Sequence, residues 1–141
     1  MKKLTVFILA ALIAITCVST ALAADWVEIG EGGGTIQSVD VSSVRQTGNT
    51  FRMWDKCILC TPQAQAELQK NLKLSKTPAY FVKYLEFKIY EPTVRSISTI
   101  CYANDGTVAS SFGENYEWYM YPPGSFGDIK WHLGRHVLGL E

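Results

Sequence analysis

Between residues 82 and 112 the chain alternates apolar and polar side chains with a period of two, interrupted twice by turn-forming residues. That pattern suits half-buried strands joined by tight turns and little else. Residues 82–90 and 95–102 flank Glu91-Pro92-Thr93-Val94. Folding one back on the other brings Leu85, Phe87 and Ile89 to the same face as Ile97, Thr99 and Cys101. Asn104-Asp105-Gly106-Thr107 then supplies Asp-Gly, a hairpin signal, and leads into residues 108–112. This second hairpin sets Val108, Ser110 and Phe112 beside Ala103, Cys101 and Thr99. Both turns point to one core face, which predicts an antiparallel meander.

Upstream, residues 25–30 and 35–40 read as strands joined at Gly32-Gly33-Gly34. Val41-Ser42-Ser43-Val44 reads as a helical turn capped by Asp40, residues 46–49 as a polar turn, and residues 51–58 as a third strand. Thr61-Pro62 is a helix-start signal. The apolar face that follows, Ala64, Leu68 and Leu72, is thin, so residues 62–74 are either a short helix or a loop. Pro122-Pro123 ends the sheet pattern, and Ser125 with Asp128 has capping-box-like spacing. A helix over residues 126–138 then places Phe126, Ile129, Leu133 and Val137 along one stripe on the sheet, with Lys130 facing water. The expected class is α+β: a single antiparallel sheet of about six strands, packed by a C-terminal helix. No repeat of fixed period is evident.

The first 23 residues have the three parts of a secretory signal peptide: Lys2 and Lys3, an apolar stretch from residue 4 to 15, and the small residues of Ala21-Leu22-Ala23. The stretch is short for a membrane span, which needs roughly 20 apolar residues, so cleavage after Ala23 is expected rather than an uncleaved anchor. Lipid attachment at Cys17 is disfavoured by the Ala14-Ile15-Thr16 that precedes it. No transmembrane span is expected in residues 24–141, and no second domain. The whole chain carries 13 basic and 13 acidic residues, so losing Lys2 and Lys3 leaves acids in excess by two. Nothing in that balance draws the domain to nucleic acid. Aromatic residues make up 12% of the chain and charged residues only 18%, which favours a packed domain over disorder.

Laid out in order, the motifs of residues 24–141 are Asp25-Trp26-Val27-Glu28-Ile29-Gly30, then Val39-Asp40-Val41-Ser42-Ser43-Val44, Gly48-Asn49 and Phe51-Arg52-Met53-Trp54. Later come Arg95-Ser96-Ile97-Ser98, Asp105-Gly106-Thr107-Val108, Trp118, and Pro123-Gly124-Ser125 ahead of the last helix. In order and spacing this resembles the surface-adhesin protein E family of Gram-negative bacteria. The resemblance implies an exported domain, periplasmic or at the outer surface, that binds other proteins such as host-matrix or envelope components without being an enzyme. Members often join sheet and last helix by a bridge, for which this chain has no counterpart, since no cysteine follows Cys101. No binding residue of the family is carried over to a position here.

The residues themselves offer few sites for chemistry. Cys57-Ile58-Leu59-Cys60 has thiol-exchange spacing but follows a strand, without a thioredoxin-like surround. A structural bridge between these two, or from one of them to Cys101, is expected ahead of redox catalysis, and one of the three thiols is then left over. His132 and His136 are four apart on the last helix, yet Leu133 stands where a metalloprotease helix has glutamate, so no metal is expected. Ser42-Ser43, Ser110-Ser111, Glu114 and Glu117 lack the partners that a nucleophile or acid–base pair requires; no catalytic residue and no cofactor is expected. Tyr116, Trp118, Tyr119 and Tyr121 form an aromatic run. It suits a binding surface. The competing expectation is that Trp118, with Met120, plugs the gap between sheet and helix.

Overall fold

The computed structural model describes residues 23–141, so the leader expected over residues 1–23 lies outside them apart from Ala23. The elements are β1 (Trp26–Gly32), β2 (Thr35–Thr47), β3 (Thr50–Leu59), α1 (Pro62–Asn71), β4 (Pro78–Lys88), β5 (Thr93–Ala103), β6 (Val108–Phe112), β7 (Tyr119–Met120) and α2 (Phe126–Val137). Strands β1 to β6 are neighbours in sequence order and antiparallel throughout, and β7 pairs with β5. The expected meander with a helix packed on it is therefore the fold.

Strand β3 shows how the alternation works. Phe51, Met53, Asp55, Cys57 and Leu59 are buried, and the residues between them are half-exposed. Across the β3–β4 ladder Phe51 faces Phe87, Met53 faces Leu85, Asp55 faces Lys83 and Cys57 faces Phe81. The Phe51 and Phe87 rings stack, with centroids 5.2 Å apart. Val39, Val44, Ile89 and Tyr121 complete the buried cluster, flanked by Ile29, Val94, Trp131, Leu133 and Leu138.

Residues 41–44 are not the expected helical turn but part of β2, at an irregularity between Asp40 and Arg45. Asp40 Oδ1 accepts from the Ser42 amide and hydroxyl, while Ser43 Oγ donates to the Asp40 carbonyl and accepts from the Trp54 amide. The capping chemistry is real, yet it replaces ladder bonds lost at a bulge rather than starting a helix. Bulges also adjust the two hairpins. Thr99 and Cys101 face Lys83 and Phe81, on the expected side, but Ser96 takes the place opposite Leu85 and Ile97 is left unpaired. Ser110 and Phe112 sit beside Cys101 and Thr99 as expected, whereas Val108 pairs with Tyr102 instead of Ala103.

Residues 62–71 do form a helix, with Thr61 Oγ1 accepting from the Ala64 amide and proline at the first position. Helix α2 is capped by Ser125 through the Asp128 amide, and Asp128 Oδ2 accepts from the Gly124 amide in return. Its rotation about its own axis differs from expectation. Lys130 and Gly134 are the buried residues of α2, while Ile129 and Val137 of the expected stripe are exposed. Gly134 is the physical reason: a Cβ there would lie 2.7 Å from both Phe51 Cζ and Met53 Cε, so only glycine lets the helix sit this low. Trp131 Nε1 donates to the Lys88 carbonyl at 2.8 Å, tying the same face to the end of β4.

Candidate functional site

Both helices lie on the face that carries Phe51, Met53 and Phe87. Among the described residues no helix lies over the opposite face. Its rows follow from the registers: Trp26, Asp40, Trp54, Tyr84 and Ser98 in one; Ser38, Lys56, Val82 and Ile100 in the next; Ile36, Ile58, Tyr80 and Tyr102 in a third. Trp54 stacks on Tyr84 with centroids 4.6 Å apart, and Tyr80 on Tyr102 at 4.8 Å. The Lys56 ammonium lies 4.8 Å from the Tyr80 ring centre and 5.9 Å from that of Trp26. Trp54, Lys56, Tyr80, Tyr84 and Tyr102 are all half-buried. These residues shield one another across strands, and cation–π contact steadies the lysine among the rings.

A charged cluster closes one end of this face. Glu86 accepts from Arg52 Nε at 2.9 Å and from Arg95 Nε at 2.5 Å, and Arg95 also reaches Glu114 at 3.3 Å. Burial pushes the Glu86 carboxyl up, but the two guanidinium groups outweigh it and hold the group below its ordinary range. Trp118 lies against this cluster, its ring 5.0 Å from Arg95 Cζ and 5.3 Å from Lys88 Nζ.

The aromatic run is thus divided between faces. Tyr116 and Tyr119 are exposed, and the Tyr119 hydroxyl is held by Asn115 and Glu117. The gap between sheet and helix is filled not by Trp118 with Met120 but by Tyr121, edge-on to Phe87 and against Gly127 of α2. Met120 is 76% exposed. Alternation carried from β7 into the residue after it accounts for the difference, since it turns Tyr121 inward and Met120 outward.

Cys57, Cys60 and Cys101 are free thiols, so none of the expected bridges is formed. Cys57 and Cys101 both face Phe81 from opposite sides, which puts β4 between them. Two strand spacings come to roughly 9.5 Å, beyond the ~7 Å that a disulfide spans between Cα atoms. Cys57 is buried inside β3, while Cys60 lies exposed beyond its end, about 10 Å along an extended chain. Burial pushes the Cys57 and Cys101 thiols up, the direction opposite to that of a reactive thiolate.

The most polar arrangement of the interior went unread in the sequence. Lys130, 7% exposed, donates to Asp55 Oδ2 and, at 3.3 Å, to Gln37 Oε1; Gln37 Nε2 donates to Cys57 Sγ at 3.0 Å. Asp55 is 1% exposed, and its Oδ1 has no hydrogen-bond partner. One signal was present: Asp55 falls within the inward series Phe51, Met53, Asp55, Cys57, and an acid at such a position demands a cation. His132 contacts Glu141 and Asp128, and His136 is exposed; among the described residues no group of three or more His, Cys, Asp or Glu side chains is placed to hold a metal ion. None of the described helices is long and apolar enough to cross a membrane. No family model and no curated protein matches the chain.

Proposed function

We propose that this is an exported, non-enzymatic binding module of the bacterial envelope, of the surface-adhesin protein E kind, which grips another protein with its open sheet face. The observation that carries this reading is the array of Trp54, Tyr84, Tyr80, Tyr102 and Lys56 on the face that neither helix covers. Rigid aromatic rings held by cross-strand stacking give contact area at low entropic cost, and clusters of aromatic and arginine side chains dominate binding energy at protein interfaces. Arg52, Arg95 and Trp118 extend such a surface toward its charged end. The order of the motifs in residues 24–141 supports the same reading independently.

The test uses the purified protein immobilised against envelope and host-matrix extracts, with Tyr80→Ser/Tyr84→Ser run in parallel. Losing two aromatic anchors weakens a specific contact by at least about 2 kcal/mol, or roughly thirtyfold. A protein retained by the native surface and released by the variant, with thermal melting little changed, supports the reading. Equal retention by both surfaces overturns it. Lys56→Glu, which leaves the aromatic rings in place, provides a second variant should the double substitution fail to fold.

A further inference from the structure

On the helix-covered face, beside the core, α1 with the residue that follows it and strands β4, β5 and β6 line an open cleft of about 280 Å³. Leu68 of α1 and Leu72, its C-cap, line it together with Phe81, Phe112, Thr99 and Lys83. Lys83 is the only charged residue in that lining. In register it stands directly opposite Asp55, where a cross-strand ion pair would ordinarily form. Lys130 takes that carboxylate from α2, so Lys83 is left without an acid and the three groups together carry one positive charge in excess. The Lys83 ammonium rests 4.8 Å from the centre of the Phe81 ring, and no carboxylate of the described residues forms an ion pair with it.

We infer that this cavity is a binding site for a small, straight-chain apolar carboxylate. The carboxylate sits on Lys83, beside its cross-strand neighbour Thr99, and the chain runs between Leu68, Leu72 and Phe112. Charge selects the head, because an apolar cavity holding one unpaired cation favours a single anionic group over a neutral one. Volume sets the scale of the chain. The cavity is near the small end of ligand sites, roughly 300–1,000 Å³. At roughly 30 Å³ for each water-sized group it holds about nine or ten non-hydrogen atoms, the size of octanoate. The site shares no residue with the open aromatic face and stands or falls separately from the binding role proposed for it.

Calorimetric titration of the purified protein with octanoate, octanol and acetate tests the inference. One octanoate is expected to bind per chain, with octanol and acetate each weaker by about tenfold or more, the worth of one charge-assisted contact or of the apolar chain. Lys83→Met is expected to lower octanoate affinity by about the same factor and leave octanol unchanged, while Lys83→Arg retains binding. Absence of saturable octanoate binding, equal affinity for octanol, or indifference to Lys83→Met in a folded variant would each overturn the assignment.

Discussion

Replacing Lys130 by methionine removes the one cation that meets Asp55 beneath α2. The substituted side chain has similar length and still fills the space, so the loss is electrostatic rather than steric. Asp55 is 1% exposed, and its Oδ1 is already unpartnered, so the variant leaves a carboxylate buried with neither oxygen paired. Breaking a buried ion pair by deleting one partner costs about 3–5 kcal/mol. Lys83, opposite Asp55 in the ladder, takes up part of the stranded charge and sets the expectation at the lower end, about 3 kcal/mol. That is a large share of the ~5–15 kcal/mol that holds a domain folded, and corresponds to a fall in melting temperature of roughly 10 °C. Urea unfolding followed by tryptophan fluorescence gives the number. Asp55→Leu with Lys130→Met removes both charges and should recover most of the loss, because replacing a whole buried pair by apolar groups is close to neutral or better. A loss below about 1 kcal/mol for Lys130→Met alone would place Lys130 in water and refute the seating of α2 described above.

Gly134→Ala tests the same contact by volume. Helix propensity alone predicts a gain of up to ~1 kcal/mol, but the new methyl overlaps Phe51 and Met53, and a net loss of about 1–3 kcal/mol in urea unfolding is expected. Glu86 makes stability depend on acid. Its pKa in the fold lies below the ordinary 4.5, so its contribution is present above that value and lost as pH falls through the lower, folded one. Melting temperatures taken from pH 7 to pH 3 should fall less for Glu86→Gln than for the native chain. Tyr121 has the opposite sign. Burial raises its pKa above the ordinary 10, so its contribution is complete below that value and is lost as pH rises toward the folded one. Its buried hydroxyl has no partner, so Tyr121→Phe should unfold at equal or higher urea at pH 7 and lose less stability above pH 10.

The sheet was legible because each strand keeps a strict period of two between recognisable turns, and strand order in a meander needs nothing beyond sequence order. Residues 41–44 were not, because an aspartate followed by two serines offers the same hydrogen bonds to a bulge as to a helix start, and only the β3 partner decides. The face of α2 was misread for a related reason. Its stripe of Phe126, Ile129, Leu133 and Val137 has good periodicity, but Gly134 beside Phe51 and Lys130 beside Asp55 rotate the helix, and both partners are distant in sequence. The candidate binding face was half visible. Trp118 stood out in an aromatic run, whereas Trp54, Tyr80, Tyr84 and Tyr102 lie in three separate strands and become one surface only once the registers are known. The cysteines show the converse, since Cys57 and Cys60 are close in sequence but at different burial, and Cys101 shares the inner face with Cys57 across an intervening strand.

The account turns on a sheet with one roofed face and one open, aromatic face. Hydroxyl-radical footprinting read by peptide mass spectrometry addresses this in the free protein. Trp54, Tyr80, Tyr84 and Tyr102 should be oxidised, and Met120 should be modified far faster than Met53, while Phe51, Met53 and Phe87 stay protected until the protein unfolds. Protection of the four outer aromatics together with ready oxidation of Met53 would contradict it.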